Sequence, residues 1–463
     1  MAQALVRTRV HHMLERRLSG ELFDYRQIIA LFLPILIDQA FIVGLNLINT
    51  AMISSSGVAA VSAVNMIDSL NFFLIFIFIA VSTGGTVLVA QFKGSGNPQM
   101  VTRAAASTVS TVALFAAAIG LLMIAFHTPT LNALFGSASE DVLANGRTYL
   151  IGSCTSYLGI AIFEAVCGAL RGIGRSRPSL FLSLIMNFSF VLLNFVFINL
   201  LDMGVLGLTI AMNTARYLGA ACAIYYLVRI DSELRFRIRD AFYVNLAMVR
   251  KIMSTGLPFA AEQIFFNGGK LLTQVFVVSM GTYALATNAI SSTFAAVYQV
   301  PANALSIVTI TVIGQCMGAR NIRDARKYTK SFLGLSSMFF IVMALVMLPL
   351  FYPIVQLFHP PAEIVDDIFT ITLINAVAQI PLWGISFLMP SALRAAGDSK
   401  FTSIVSLLSM WLFRIVLGYV LGIVLDFGII GVWMAMNCEW GVRGLIFLLR
   451  FRGEKWYRKR LID

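Results

Sequence analysis

Two acids stand at matching places in a mostly apolar chain. Asp38 follows Pro34 by four residues in the run Leu33-Pro34-Ile35-Leu36-Ile37-Asp38, and Glu262 follows Pro258 by four in Leu257-Pro258-Phe259-Ala260-Ala261-Glu262. A carboxylate within an apolar span is expensive, so it faces a wet cavity or a partner and marks a functional site by default. One that takes a proton at one side and gives it up at the other couples transport to a gradient, and in its ionised form it attracts sodium or an organic cation. A carboxylate that cannot hold ion and cargo together is the simplest basis for exchange. The structural alternative is that Asp38 and Glu262 are each paired to neighbouring donors.

Other polar side chains lie in the same kind of surroundings. Lys270 is eight residues beyond Glu262, about 80° round a helix. It is expected to be the counter-ion of Glu262 or, failing that, to line the cavity and leave anionic or zwitterionic cargo open. Asp68 faces an outer opening or is solvated at its rim, and the rim is the expectation. Asn187 and Asn194, one heptad apart, either line the cavity or tie helices together by hydrogen bonds. Glu164 is expected to pair with Arg171, and Arg414 with a buried partner such as Glu439 or a backbone carbonyl, while Glu439 and Arg443 have the i, i+4 spacing of a helical ion pair.

The elements that must position these groups follow from composition. With 59% hydrophobic and 12% charged residues among 463, the chain has too little polar surface for a water-soluble globule of its size. Twelve apolar stretches are long enough to cross a bilayer as helices: 28–53, 58–92, 103–126, 141–168, 178–201, 204–229, 248–279, 282–316, 328–352, 364–391, 401–425 and 428–450. Lys and Arg gather in alternate loops, from Lys93 and Arg103 through Arg171, Arg175 and Arg177 to Arg450, which predicts cytoplasmic N- and C-termini. The net charge of +12 is mostly this bias. Residues 1–27 read as a basic cytoplasmic segment without a cleaved signal peptide.

The order of elements is written twice. Gln91-x-x-Gly94-x-x-Asn97 returns as Gln315-x-x-Gly318-x-x-Asn321, and Gly204-x-x-Gly207 returns as Gly428-x-x-Gly431, both 224 residues on. Ala169-Leu170-Arg171-x-x-Gly174 returns as Ala392-Leu393-Arg394-x-x-Gly397 after 223. The repeats run parallel, as in two-lobed transporters. The expected fold is all-α and polytopic: two six-helix lobes, 28–230 and 248–450, related by a pseudo-two-fold axis. An amphipathic connector over 231–247 joins the lobes and a basic tail follows over 451–463.

Five cysteines without metal-type clustering, and the lack of a phosphate-binding Gly-rich loop or His/Glu/Cys ligand spacing, predict no cofactor, no metal and no enzyme activity.

These residues together resemble the multidrug and toxic compound extrusion (MATE) transporters. The resemblance rests on the Leu-Pro pairs, the duplicated Gln-x-x-Gly signatures and the Arg171-Gly172-x-Gly174-x-x-x-Pro178 turn, and it covers essentially the whole chain. It implies alternating access and export of organic cations and other amphiphiles in exchange for protons or sodium ions. It also brings departures. Where many prokaryotic members carry a coupling Asp fifteen residues after the first Pro, this chain has Asn49. Where several branches carry a Glu eight residues after the second, it has Phe266. Asp38 lies eleven residues before Asn49, on nearly the same helix face.

The resulting expectation is a monomeric secondary active exporter in a bacterial inner membrane. Asp38 and Glu262 are its ion-coupling residues, and Asn49, Asn187, Asn194, Lys270 and Asp68 line its cavity. Its partners are a small amphiphile, the coupling cation and membrane lipid, with no nucleic acid. The alternatives are a flippase-like exporter of a lipid-linked or peptide-like natural product and, in another class, a non-transporting receptor or scaffold.

Overall fold

A computed structural model describes residues 12, 14–53, 58–135, 139–234, 236–237, 239–240, 245–458 and 461–462, with side chains placed for all of these but 46–53 and 58–59. Twelve long helical runs cross the described residues. The first six are α1 (Tyr25–Ile53), α2 (Val58–Gly94), α3 (Pro98–Ala125), α4 (Glu140–Gly172), α5 (Ser176–Asn194, then Phe195–Leu200) and α6 (Gly204–Tyr225, then Tyr226–Ile230). The second six are α7 (Leu246–Ser279), α8 (Thr282–Gly318), α9 (Ile322–Met347), α10 (Ala362–Trp383, Gly384–Leu388 and Met389–Ala395), α11 (Ser399–Ser409, Met410–Leu417 and Val420–Val424) and α12 (Gly428–Arg452). The segments Phe195–Leu200, Tyr226–Ile230, Gly384–Leu388, Met410–Leu417 and Val420–Val424 are π-helical. Nine of the described helices are long and apolar enough to cross a membrane. Of the other three, α6 carries Arg216, α7 carries Glu262 and Lys270, and α12 carries Glu439 and Arg443. The chain is thus the expected all-helical polytopic membrane protein with six long helices in each sequence repeat.

The duplicated motifs are helix punctuation. Asn97 caps α3 by accepting the Met100 N–H at 3.2 Å, and Asn321 caps α9 by accepting the Asp324 N–H at 2.9 Å. The residue before each cap has left-handed backbone, Gly96 at φ 72° and Arg320 at φ 59°. The same duplication appears at Gly174 and Gly397, at Asp202 and Asp426, and at Gly204 and Gly428, all with positive φ. These turns stop one helix and aim the next.

The chain forms two compact units, one of residues 37–260 and one of 1–36 with 261–463. The divisions fall inside α1 and α7, after Leu36 and Ala260, rather than in the connector. Within the 37–260 unit, α2 and the first part of α7 meet backbone to backbone. A Cβ on Gly84 would stand 2.6 Å from the Ile252 carbonyl oxygen, and one on Gly256 would stand 2.9 Å from the Val81 Cα. In the other unit, Trp383, Phe340, Phe387 and Trp440 form the aromatic centre of a core that includes Ile28, Leu31 and Phe32 of α1. Large apolar side chains such as Leu121, Phe181, Leu345 and Leu449 are exposed, as lipid-facing residues are.

Each repeat is preceded by a tethered segment. Asp324 accepts the Glu21 and Leu22 N–H groups at 2.7 and 3.2 Å, and the Tyr328 hydroxyl donates to the Phe23 carbonyl at 2.8 Å. Before α7, Asp231 and Glu233 bind Arg175 at 2.8 and 3.3 Å, and Glu233 also pairs with Lys93. Burial works against the Arg175 charge, but Asp231 and its other partners outweigh that and hold the guanidinium above its ordinary pKa. Residues 235, 238 and 241–244 of the expected connector lie outside the described residues.

Candidate functional site

Asp38 lies one helical turn after Pro34 in α1, in the 37–260 unit, and only 7% of it is exposed. Its polar neighbours are the Ser183 hydroxyl of α5 and the charges of Arg171 and Glu164 at the end of α4. Asn187 donates to the Ser183 carbonyl at 2.9 Å and to its hydroxyl at 3.2 Å, so Asp38, Ser183 and Asn187 form one polar thread. Arg171 Nη2 is 3.4 Å from Glu164 Oε2, the pairing expected from their spacing. Asp38 Oδ1 is buried with no hydrogen-bond partner among the described residues.

Glu262 occupies the equivalent position in α7 but has a different environment. Arg394 Nη1 donates to its Oε2 at 3.3 Å, and the Ser403 hydroxyl donates to the same oxygen at 3.2 Å. The reason lies in one residue of the repeat. Arg171 and Arg394 are counterparts 223 residues apart, and the counterpart of Glu164 is Phe387. Without an acid at 387, Arg394 turns to Glu262. With Glu164 present, Arg171 is taken and one oxygen of Asp38 is left over. The sequence symmetry of the two acids is therefore not a symmetry of their bonding.

Asp68, expected at the rim of an outer opening, is partly exposed. It accepts the Tyr149 hydroxyl at 2.8 Å and the Asn71 amide at 3.3 Å. Asn71 in turn donates to Ser153 at 2.9 Å and accepts from Tyr157 at 2.7 Å, and Arg216 donates to Ser156 at 2.7 Å. Asp68 is thus fastened between α2 and α4, and Arg216 is close enough to act on its charge. Tyr149, Asn71, Tyr157 and Arg216 drew no attention in the sequence, because aromatic and amide side chains in a span read equally well as packing.

The expected pairing of Lys270 with Glu262 does not occur. Arg394 already neutralises Glu262, and among the described residues Lys270 forms no ion pair. Its ammonium lies 4.8 Å from the centre of the Phe266 ring, and the guanidinium of Arg414 lies 5.2 Å from the same centre. Arg414 sits in the π-helical part of α11 and reaches Glu439 at 3.1 Å, while Arg443 reaches Glu439 at 3.0 Å. All three are buried, and neither oxygen of Glu439 meets hydrogen-bond geometry, so charge rather than alignment holds the triad. Lys270 and Arg414 line a cavity of about 240 Å³ with Gln274, Asn288 and Trp433.

Of the remaining expected residues, Asn194 is buried at the end of the α-helical part of α5. Asn49 falls in α1, but its side chain lies outside the described residues. Among the described residues no three His, Cys, Asp or Glu side chains cluster as metal ligands would.

Comparison with known proteins agrees with this architecture. The family model MatE matches residues 34–198 and again 258–420, once in each repeat. An uncharacterised transporter of Bacillus subtilis, YisQ, is 26% identical over 439 residues, covering 92% of this chain and 94% of its own. A probable multidrug resistance protein of Thermotoga maritima, NorM, is 23% identical over 442 residues, covering 94% of each. The fold is similar to that of a multidrug resistance MATE family transporter solved in an outward-facing conformation, with a TM-score of 0.84 at 18% identity over 92% of this chain and 94% of that one. Its six-plus-six helices, the doubled match to the family model and the near full-length relatives place this chain in the MATE family of transporters.

Proposed function

We propose that the chain is a secondary active exporter that exchanges protons or sodium ions for amphiphilic organic compounds by alternating access. It would work in a bacterial plasma membrane with both termini in the cytoplasm, and Asp38 is its coupling carboxylate. The observation that carries this reading is the buried Oδ1 of Asp38, which lacks a donor among the described residues while its neighbour Arg171 is engaged by Glu164. A buried carboxylate oxygen is costly without a partner, and a proton or a cation supplies one. Ser183 and Asn187 add oxygens beside it. Glu262, whose oxygen is held by Arg394 and Ser403, reads as the structural counterpart. Names among the relatives, such as multidrug resistance protein, support export.

Cargo class is where a second reading enters. Family resemblance favours organic cations, whereas the cationic lining around Lys270 favours cargo with an acidic group, as in a lipid-linked or peptide-like natural product.

The test is movement of a cationic and an anionic fluorescent dye out of proteoliposomes under an imposed proton or sodium gradient. The native chain should move at least one dye under one gradient. Asp38→Asn should lower that rate by at least about tenfold while leaving helicity and gel-filtration behaviour unchanged. Undiminished movement by Asp38→Asn removes Asp38 from coupling, and gradient-independent behaviour of both dyes in the native chain removes the exporter reading.

A further inference from the structure

We infer that the cavity lined by Lys270 and Arg414 is a binding site for an anionic group, a carboxylate or a phosphate, on the transported molecule. The inference rests on the exporter reading for the word transported, but the site itself stands on charge and hydrogen-bond directions. Glu439 faces two guanidinium groups, Arg414 at 3.1 Å and Arg443 at 3.0 Å, so the triad keeps one positive charge in excess. Lys270 adds a second, with no carboxylate paired to it among the described residues. Two cations share the face of one ring, Phe266, and an aromatic face attracts cations but cannot neutralise them. Arg414 is buried and shares its one acid, Glu439, with Arg443, and a charge held away from water needs a full counter-charge. Among the described residues no Asp or Glu lines the cavity to supply it.

The neutral groups point the same way. Trp433 Nε1 is a donor only, and it reaches Asn288 Oδ1 at 3.1 Å. That fixes the Asn288 amide, whose Nδ2 then donates to Gln274 Oε1 at 3.1 Å. Gln274 is left with its Nε2, a donor, to offer to a ligand. The cavity therefore presents an ammonium, a guanidinium with an unpartnered buried Nε and an amide N–H beside the indole of Trp433. Donors of both charge types converging on one space suit the oxygens of a carboxylate or phosphate. At about 240 Å³ the space takes such a group with a small ring or short tail, and the apolar walls of Val432 and Met436 would meet that tail. Lys270 is exposed on α7 whereas Arg414 is buried.

The experiment measures binding of benzoate, benzamide and benzamidinium to the full-length protein in detergent, by isothermal titration with no gradient present. The three probes share a ring and differ in the charge of one planar group, and phenyl phosphate is run beside them. Benzoate or phenyl phosphate should bind about 10- to 100-fold more tightly than benzamide or benzamidinium. Lys270→Gln should abolish most of that preference and Lys270→Arg should restore it. Equal or tighter binding of benzamidinium, or an anion preference that survives Lys270→Gln, overturns the assignment. Because no gradient is used, anion-selective binding by a chain that fails the proteoliposome assay would leave this site standing and remove the exporter reading. Gradient-driven transport without anion-selective binding would do the reverse.

Discussion

At the scale of single residues, two acids with the same position relative to a proline have opposite bonding. Glu262 neutralises Arg394, and both are largely buried, whereas Asp38 has an oxygen with no donor among the described residues. Removing the charge of Glu262 leaves a guanidinium away from water without its counter-ion. Glu262→Gln should therefore lower the stability of the detergent-solubilised protein by about 3 kcal/mol, read as a fall in thermal midpoint, while Asp38→Asn should stay within about 1 kcal/mol of native. Similar midpoints for the two variants would show that the Arg394 pair is not structural. The acids themselves were legible in the sequence because a carboxylate in an apolar run is rare. Their partners were not, since Ser183, Arg394 and Ser403 arrive from distant helices. Apolar helices of this kind carry no polar face from which a rotation could be read. Lys270 shows the same limit. Sequence distance made Glu262 its nearest candidate partner, but Arg394 had taken that acid, and the charge next to Lys270 was the equally cationic Arg414.

At the scale of elements, the duplicated turns are the best-recorded feature of the chain. Their Gly, Asn and Asp residues are the types that stop helices and enter left-handed backbone, so span ends could be placed from sequence. Internal changes in pitch left no such mark. The π-helical segments of α10 and α11 sit in continuous apolar runs, and one of them carries Arg414. The turn before α9 departs from its counterpart in one respect. Arg320 has φ 59° where the first repeat has Gly96 at φ 72°. A side chain in that region costs roughly 1 kcal/mol, which glycine avoids. Arg320→Gly should accordingly raise the thermal midpoint slightly and Gly96→Ala should lower it, by about 1 kcal/mol in each direction. A loss of stability in Arg320→Gly would mean that the arginine side chain compensates its own strain.

At the scale of the whole molecule, the twelve-helix plan and the loop charges make a prediction about orientation. With Lys93, Arg103, Arg171, Arg175 and Arg177 on one side, that side should be the cytoplasm. A green fluorescent protein fused after Asp463 should fluoresce in bacterial cells, and alkaline phosphatase fused at the same point should be inactive. The reverse pattern would invert the topology. The twofold writing of the chain has a further outcome for its heredity. Each compact unit begins inside a proline-containing helix, after Leu36 and after Ala260, at positions 224 residues apart. A gene divided at the connector would thus encode two polypeptides, neither holding a complete unit. The first would carry residues 1–36 that belong with 261–463, and the second would carry the opening of α7 that belongs with 37–260.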